Sequence, residues 1–258
     1  MIQNIEIEEN KTNLQLGDKI IEIKNLNKSF GDNAVLKGVN LYLKKGENLV
    51  ILGKSGSGKS VAIKCLVGLV KADEGEINVF GTDITKLNNA ELNEFRVRIG
   101  FLFQNGALYD SMSVRENLGF TLKHHTPHLT SEEIEAAILE ALENVGLEEA
   151  IDKMPSELSG GMRKRIGLAR TLIIKPEIIL YDEPTTGLDT ITSREISELM
   201  LSVQKKYKTS AIIITHDMAC AKITSNRIIV LNEGVIYAEG TYAELENSDD
   251  QWVRSFFI

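Results

Sequence analysis

The stretch LVILGKSGSGKSVAIKCLVGL, residues 49–69, is the strongest indication of the fold. The four apolar residues 49–52 are typical of a buried strand, and the pattern over 61–69 is helical. The glycines between them let the backbone turn tightly enough for several N–H groups to point at one anion. A helix that follows directly adds the positive end of its dipole. The order of strand, loop and helix predicts a phosphate-binding loop, and it disfavours the alternative of a flexible Gly/Ser-rich turn.

The loop fits the pattern G-x-x-x-x-G-K-S of P-loop proteins over its full length. We expect Lys59 to reach the β- and γ-phosphates of a bound nucleotide, and the Ser60 hydroxyl to ligate Mg²⁺. The predicted phosphate-binding residues are Gly53, Lys54, Ser55, Gly56, Ser57, Gly58, Lys59 and Ser60.

A second apolar strand ends in two carboxylates. The run 178–181 (IILY) leads directly into Asp182 and Glu183. Because successive side chains of an extended chain diverge, the two acids can have different tasks. We expect Asp182 to hold Mg²⁺ through its water shell, and Glu183 to act as general base or orienter for the attacking water. The alternative is a strand that ends in a polar turn, which Pro184 would also suit.

Composition limits the class of protein. The 258 residues carry 29 basic and 37 acidic side chains, a net charge of −8. Affinity for nucleic acid comes mainly from basic side chains, so we expect no nucleic-acid partner. No apolar run approaches the roughly 18 to 20 residues that cross a bilayer. Residues 1–19 are polar and acidic and lack the pattern of a secretory signal. These features predict a cytoplasmic protein.

Strands alternate with helices along the chain, which predicts an α/β core. We interpret residues 1–19 as a polar extension and residues 20–258 as one domain with a helical segment at roughly 105–175. Thr130 and Glu133 have the spacing of a capping box at the start of one helix in that segment. Turns between the first strands are predicted at Gly31, Gly38 and Gly46.

The run 158–162, Leu-Ser-Gly-Gly-Met, separates this chain from other P-loop proteins. A helical pattern follows it as far as Ile174, and Ser159 is a residue that caps helix N-termini well. The two glycines let a ligand approach closely. The positive dipole end of this second helix could contact the phosphates of a nucleotide that is bound elsewhere. The basic run 163–165, which includes Lys164, is interpreted as a solvated face without a role in the site; the alternative is a position near phosphate or near acidic side chains of a partner.

With this run in place, the chain from Ile20 onward resembles the nucleotide-binding domain of ABC (ATP-binding cassette) transporters. The resemblance implies a P-loop core with a mostly parallel sheet, an antiparallel β subdomain and an inserted helical subdomain. It also implies that the chain binds ATP and Mg²⁺ and that Glu183 serves ATP hydrolysis. Ser159, Gly160 and Gly161 match the family's signature, which contacts ATP.

Four further positions match motifs of the family. Gln104 resembles the glutamine that ligates Mg²⁺ and senses the transmembrane partner, and Asp189 resembles the aspartate of the D-loop near ATP. His216 resembles the catalytic histidine that contacts the γ-phosphate, although alone it would be interpreted as a structural histidine. Phe30 lies where the family stacks an aromatic ring on adenine, and its alternative is a buried core aromatic.

The resemblance also implies partners. In the family two cassettes enclose two ATP molecules, and each signature completes the site of the other subunit. Because the chain has one P-loop, two complete sites require a homodimer. The residues after Gln104 would contact a transmembrane permease, which would hold the protein on the cytoplasmic face of the inner membrane. The alternative for those residues is an ordinary exposed helical surface.

Three short features resemble the Mla-type ATPases, which energise phospholipid movement in bacterial envelopes with Mce-domain partners. They are Met162, the run 104–117 and the aromatic C-terminus at 252–257. Asn105 departs from that pattern, in which a serine follows the glutamine. The features imply a phospholipid substrate and an Mce-domain lipid-binding partner. The alternatives are an ABC ATPase for another substrate and a soluble ATP-gated clamp. The aromatic terminus would either dock on a partner or pack on its own surface.

Overall fold

The computed structural model describes residues 15, 17–104 and 106–257, so most of the predicted extension 1–19 and Asn105 lie outside the described residues. The strands are β1 (Lys19–Phe30), β2 (Asn33–Lys44), β3 (Asn48–Leu52), β4 (Glu74–Val79), β5 (Thr82–Asp83), β6 (Ile99–Leu102), β7 (Ile178–Asp182), β8 (Ser210–Ile214), β9 (Arg227–Asn232) and β10 (Val235–Gly240). The α-helices are α1 (Lys59–Leu66), α2 (Asn89–Arg96), α3 (Val114–His125), α4 (Ser131–Glu143), α5 (Gly160–Leu172), α6 (Thr190–Tyr207), α7 (Met218–Thr224), α8 (Tyr242–Glu246) and α9 (Gln251–Arg254).

Six strands form the central sheet, in the order β10-β9-β3-β8-β7-β6. All neighbours pair in parallel except β10, which runs antiparallel at one edge. Every residue of β3 and β8 is buried, as expected for strands covered on both faces. Because parallel strands share their carboxyl edge, the segments that follow β3, β7 and β8 meet there. The predicted mostly parallel core is confirmed.

A second sheet is antiparallel and has four strands in the order β2-β1-β4-β5, which confirms the expected β subdomain. The predicted turn at Gly38 is wrong. Gly38 lies inside β2 with φ +74°, where the pairing with β1 shifts from Leu26–Val39 to Asn27–Lys37. One extra residue of this kind is a β-bulge, and glycine accepts the positive φ without strain.

Between β6 and β7 the chain forms α3, α4 and α5. The helical prediction begins too early, since residues 106–113 form turns and α3 starts only after Ser113. The capping box at the start of α4 is confirmed. The Thr130 hydroxyl accepts from the backbone N–H of Glu133 at 3.2 Å, and the Glu133 carboxylate accepts from the N–H of Thr130 at 2.7 Å.

Three apolar clusters hold these layers together. The first joins the antiparallel sheet and α1 to one face of the central sheet, and the second joins α5 and α6 to the other face. The third lies among α3, α4 and α5. None of the helices in the described ranges has the length and apolar character needed to cross a bilayer.

Candidate nucleotide-binding site

A cavity of about 820 Å³ opens at the carboxyl edge of the central sheet. The segments that line it are far apart in sequence but follow strands that are close in space. The predicted site residues that it brings together are Phe30, Ser55, Gly56, Ser57, Gly58, Lys59, Ser60, Gln104, Glu183 and His216. The order of the parallel strands explains this convergence, since ligands of open α/β sheets bind beyond the carboxyl ends of the strands.

The loop after β3 is held in shape by its neighbours. Gly56 and Gly58 have φ of +79° and +103°, in the left-handed region that favours glycine. A Cβ on Gly53 would lie 2.2 Å from the carbonyl oxygen of Leu231, and one on Gly58 would lie 2.8 Å from the Leu36 side chain. The loop therefore packs against β9 and β2 with no room for side chains at these glycines.

Lys59 begins α1, and its buried amine lies inside the loop. The amine donates to the carbonyl oxygens of Gly53 at 2.7 Å and Lys54 at 3.0 Å, which leaves one N–H for a phosphate. Burial lowers the pKa of Lys59, and the carboxylates of Glu183 and Asp182 oppose that shift. The Ser57 hydroxyl is buried without a hydrogen-bond partner among the described residues. An unpaired buried hydroxyl is costly, and a phosphate in the loop would pair with it.

The two acids at the end of β7 have different surroundings, as the sequence predicts. Asp182 is the last residue of the strand, and burial raises its pKa. The neighbouring charge of Glu183 raises that pKa further, whereas nearby lysines lower it. Among the described residues, Glu183 lines the cavity and Asp182 does not.

Glu183 is held in a strained backbone conformation. Its φ is +52°, in the left-handed region, which costs on the order of 1–3 kcal/mol for a residue other than glycine. Its backbone N–H donates to the carbonyl oxygen of Ile214 at 2.9 Å. Its Oε2 accepts a hydrogen bond from the Thr186 hydroxyl at 3.1 Å and lies 2.8 Å from Nδ1 of His216. Thr186 and His216, which both lie at the carboxyl edge of the central sheet, therefore orient the Glu183 carboxylate.

His216 and Phe30 are both accessible at the cavity. The His216 side chain is 68% exposed, which does not fit a satisfied structural histidine. Phe30 ends β1 and is 51% exposed, so the alternative of a core aromatic is wrong. Nζ of Lys28 lies 5.3 Å from the centroid of the Phe30 ring and pairs with Asp73 at 2.6 Å, which orders this edge.

The signature run lies on another surface. The predicted N-cap is confirmed, because the Ser159 hydroxyl accepts from the N–H of Met162 at 3.2 Å. Asp189 caps α6 by accepting from the N–H groups of Ile191 and Thr192, both at 3.0 Å. A Cβ on Gly161 would lie 2.7 Å from Thr192, so the two helix starts touch. Within the described residues, no member of the signature run lines the cavity.

Lys164 is the residue that sequence reasoning missed. It is only 6% exposed, so the solvated face predicted for it is wrong. Its amine donates to the carbonyl oxygen of Gln104 and, at 3.1 Å, to that of Glu183. Burial lowers the pKa of Lys164, and the charges of Glu183 and Asp182 oppose the shift. The sequence did contain a signal for this burial. Lys164 lies four positions before the apolar Leu168, so the two side chains share one face of the helix.

The aromatic C-terminus packs on its own chain. The ring centroid of Trp252 lies 4.7 Å from that of Tyr237 and 4.9 Å from that of Phe256, both nearly edge to face. Phe257 meets Tyr242 in the same way at 5.0 Å. These rings cover the cluster beneath α6 and α7, as the second alternative predicts.

The residues predicted to hold Mg²⁺ have suitable donor atoms. Ser60, Gln104 and Asp182 offer hydroxyl, amide and carboxylate oxygens, which Mg²⁺ accepts together with water. Across the described ranges, no group of three or more His, Cys, Asp or Glu side chains could hold a metal ion. Mg²⁺ commonly completes its coordination with water and with phosphate oxygens.

Known proteins are similar to this chain over most of its length. A family profile described as ABC transporter matches residues 36–186. The chain is 41% identical to the probable ribonucleotide transport ATP-binding protein mkl of Mycobacterium leprae over 236 residues, which are 92% of this chain and 68% of that protein. It is 38% identical to the intermembrane phospholipid transport system ATP-binding protein MlaF of Haemophilus influenzae over 241 residues, 93% of this chain and 91% of MlaF.

A third relative is the methionine import ATP-binding protein MetN of Clostridium acetobutylicum, 38% identical over 226 residues, which are 88% of this chain and 70% of MetN. Among solved structures, the fold matches a dimeric ATP-binding cassette in a post-hydrolysis state bound to ADP and Pi. That match has a TM-score of 0.79 and 33% identity, and it covers 86% of this chain and 98% of the other. The resemblance to ABC cassettes, and among them to the Mla type, is confirmed. The chain belongs to the ABC transporter family as an ATP-binding subunit.

Proposed function

We propose that this chain is the ATP-hydrolysing subunit of a bacterial transporter that moves phospholipid. The observation that carries the hydrolytic part is the position of Glu183, which faces the phosphate loop while Thr186 and His216 hold its carboxylate. The phospholipid part is supported by the similarity to MlaF over nearly the whole length of both proteins.

The residues of the cavity divide the work of hydrolysis. The loop N–H groups and the Lys59 amine bind the β- and γ-phosphates, and the exposed Phe30 ring stacks on adenine. Glu183 accepts a proton from the attacking water or orients it, while His216 holds Glu183 and reaches the γ-phosphate. Ser60 and Gln104 would ligate Mg²⁺ and Asp182 would hold it through its water shell, and the ion would neutralise charge on the phosphates.

The surface position of the signature supports a homodimer. Ser159, Gly160 and Asp189 are exposed, and Ile191 beside them is 73% exposed, the highest value among the large apolar residues of the described chain. In a dimer this face would complete the cavity of the second chain. The γ-phosphate would then bridge two helix N-termini, and its hydrolysis would remove the bridge.

A permease partner has a candidate surface on α3 and α4. A cavity of about 390 Å³ lies between these helices, and beside it the exposed rings of Tyr109 and Phe120 meet edge to face at 5.4 Å. The buried Asn117 fixes the preceding loop, since its amide donates to the carbonyl oxygens of Tyr109, Met112 and Ser113. Contact with a permease here would hold the protein at the cytoplasmic face of the inner membrane, with an Mce-domain protein as further partner.

The relative MetN favours a second candidate, an importer ATPase for a small solute such as an amino acid. Co-expression of the chain with its membrane subunits separates the two. We expect phospholipid to copurify and phospholipid vesicles to stimulate ATP hydrolysis, and methionine to leave the rate unchanged. Stimulation by methionine with no bound lipid would assign the second function, and absence of ATP hydrolysis in every preparation would contradict the hydrolytic role itself.

A further inference from the structure

Lys164 joins the signature helix α5 to both loops that carry the hydrolytic machinery. It lies one helical turn after Ser159, and its side chain turns inward rather than to solvent. Its amine donates to the backbone carbonyl of Gln104 on one side and to that of Glu183 on the other. A buried ammonium with two carbonyl partners fixes both peptide groups relative to the helix.

Two further contacts lock the same helix to the segment after Gln104. A Cβ on Gly167 would lie 2.9 Å from Cα of Gly106, so the two backbones are in direct contact. The Arg170 guanidinium donates to the carbonyl oxygen of Ala107 at 2.5 Å. Close-packed backbones transmit strain, so a shift of the segment after Gln104 would also move α5.

The carbonyl of Glu183 is the more informative partner. Glu183 holds a strained positive φ, and an ammonium on its carbonyl oxygen stabilises that one orientation of the peptide. Any change in the backbone of Glu183 when the γ-phosphate leaves must therefore alter a hydrogen bond of Lys164. The N-terminus of the same helix, five residues before Lys164, presents Ser159 on the surface.

We propose that Lys164 is a positioning residue that couples the two nucleotide sites of the dimer. Lys164 links Glu183, which acts in one site, to α5 of the same chain. The N-terminus of α5 carries Ser159, which would act in the other site. The inference rests on the proposed homodimer, in which the signature of each chain completes the site of the second chain.

The first test compares Lys164→Met with Arg165→Met in the full chain. The control removes the same charge from the next position of α5, where Arg165 donates to the carbonyl of Val145 and pairs with Glu195, away from the cavity. We expect Lys164→Met to lower kcat by roughly tenfold or more, the scale of a misplaced reacting group, and to bring the Hill coefficient for ATP towards one. KM should change little. Equal kcat and Hill coefficient in both variants would overturn the proposal.

A heterodimer with two affinity tags tests the coupling itself. One chain is wild type, and the second carries Lys59→Ala, so that only the first chain's loop supports turnover. Adding Lys164→Met to the second chain should lower that turnover again, although the first chain is unchanged, whereas adding Arg165→Met should not. Equal turnover with and without Lys164→Met would reject coupling between the sites.

Folding and the proposed function are checked in the same series. If Lys164→Met melts at a lower temperature than Arg165→Met, Lys164→Gln replaces it, since Gln keeps two N–H donors and removes the charge. We expect Lys164→Gln to lower turnover in the same way but by a smaller factor. No loss of turnover in Lys164→Gln would overturn the proposal. If the heterodimer with Lys59→Ala alone and the wild type both fail to hydrolyse ATP, the proposed function fails rather than the coupling.

Discussion

The cavity face and the signature face of this molecule are built in different ways. At the cavity, Lys59 and Glu183 are brought together from separate strands and are already held by hydrogen bonds within the chain. At the signature face, Ser159 and Asp189 are exposed residues that cap helices of their own chain. Tertiary packing thus arranges one half of the proposed site within the chain, and under the proposed function a second chain would supply the other half. Four substitutions test this difference between the two faces.

Glu183→Gln should have the largest effect. Loss of the carboxylate removes the general base or orienter, so kcat for ATP hydrolysis should fall roughly 100- to 10,000-fold while ATP still binds. The trapped ATP should also hold a dimer, which size-exclusion chromatography with ATP measures. The control is Glu177→Gln, which removes an exposed carboxylate that pairs with Arg98 before the same strand. A rate equal to that of the parent protein would remove Glu183 from catalysis.

Lys59→Ala tests the cavity face, where the phosphate-binding loop lies within one chain. The change removes the buried charge that donates inside the loop, so the Kd for ATP should rise roughly a hundredfold, the scale of hydrogen bonds to charged groups. Fluorescence titration of the nucleotide measures this. Lys71→Ala, at an exposed lysine after α1, should leave the Kd unchanged. Unchanged affinity in Lys59→Ala would mean that phosphate binds elsewhere.

Ser159→Ala tests the half that is presented outward. Turnover should fall roughly tenfold, as expected for one hydrogen bond to a charged group, while the Kd of the monomer for ATP stays the same. Loss of the helix cap also costs about 1 kcal/mol of stability. The matched control is Thr130→Ala, which removes the cap of α4 at similar cost but keeps turnover. A weaker Kd in monomeric Ser159→Ala would place the serine in its own chain's site and break the comparison.

Phe30→Leu should have the smallest effect. The substitution removes an exposed ring at the cavity, so the Kd for ATP should rise roughly two- to tenfold, the range for an aromatic stack. Phe120→Leu removes an equally exposed ring on α3 and should leave the Kd unchanged. If the two variants bind ATP equally well, Phe30 does not stack on adenine. The value of kcat should change in neither variant, because neither ring touches the γ-phosphate.

Predictions from local sequence hold where near neighbours decide the outcome. The caps at Ser159 and Thr130 form as their spacing predicts, because each hydroxyl bonds to a backbone N–H three residues away. The predicted turn at Gly38 fails because a glycine with positive φ suits a bulge as well as a turn, and only the pairing with β1 distinguishes them. Residue types alone cannot make that distinction.

The sequence alone predicts the strand, loop and helix around Lys59, the two acids at the end of β7 and the order of the motifs that match the family. Hydrogen bonds and periodicity over a few residues specify such features. The position of β8 between β3 and β7, which brings His216 against Glu183, is visible only in the tertiary structure, as are the two carbonyl partners of Lys164. Strand order and the hydrogen-bond partners of a buried side chain depend on packing between distant segments, and no local pattern contains that information.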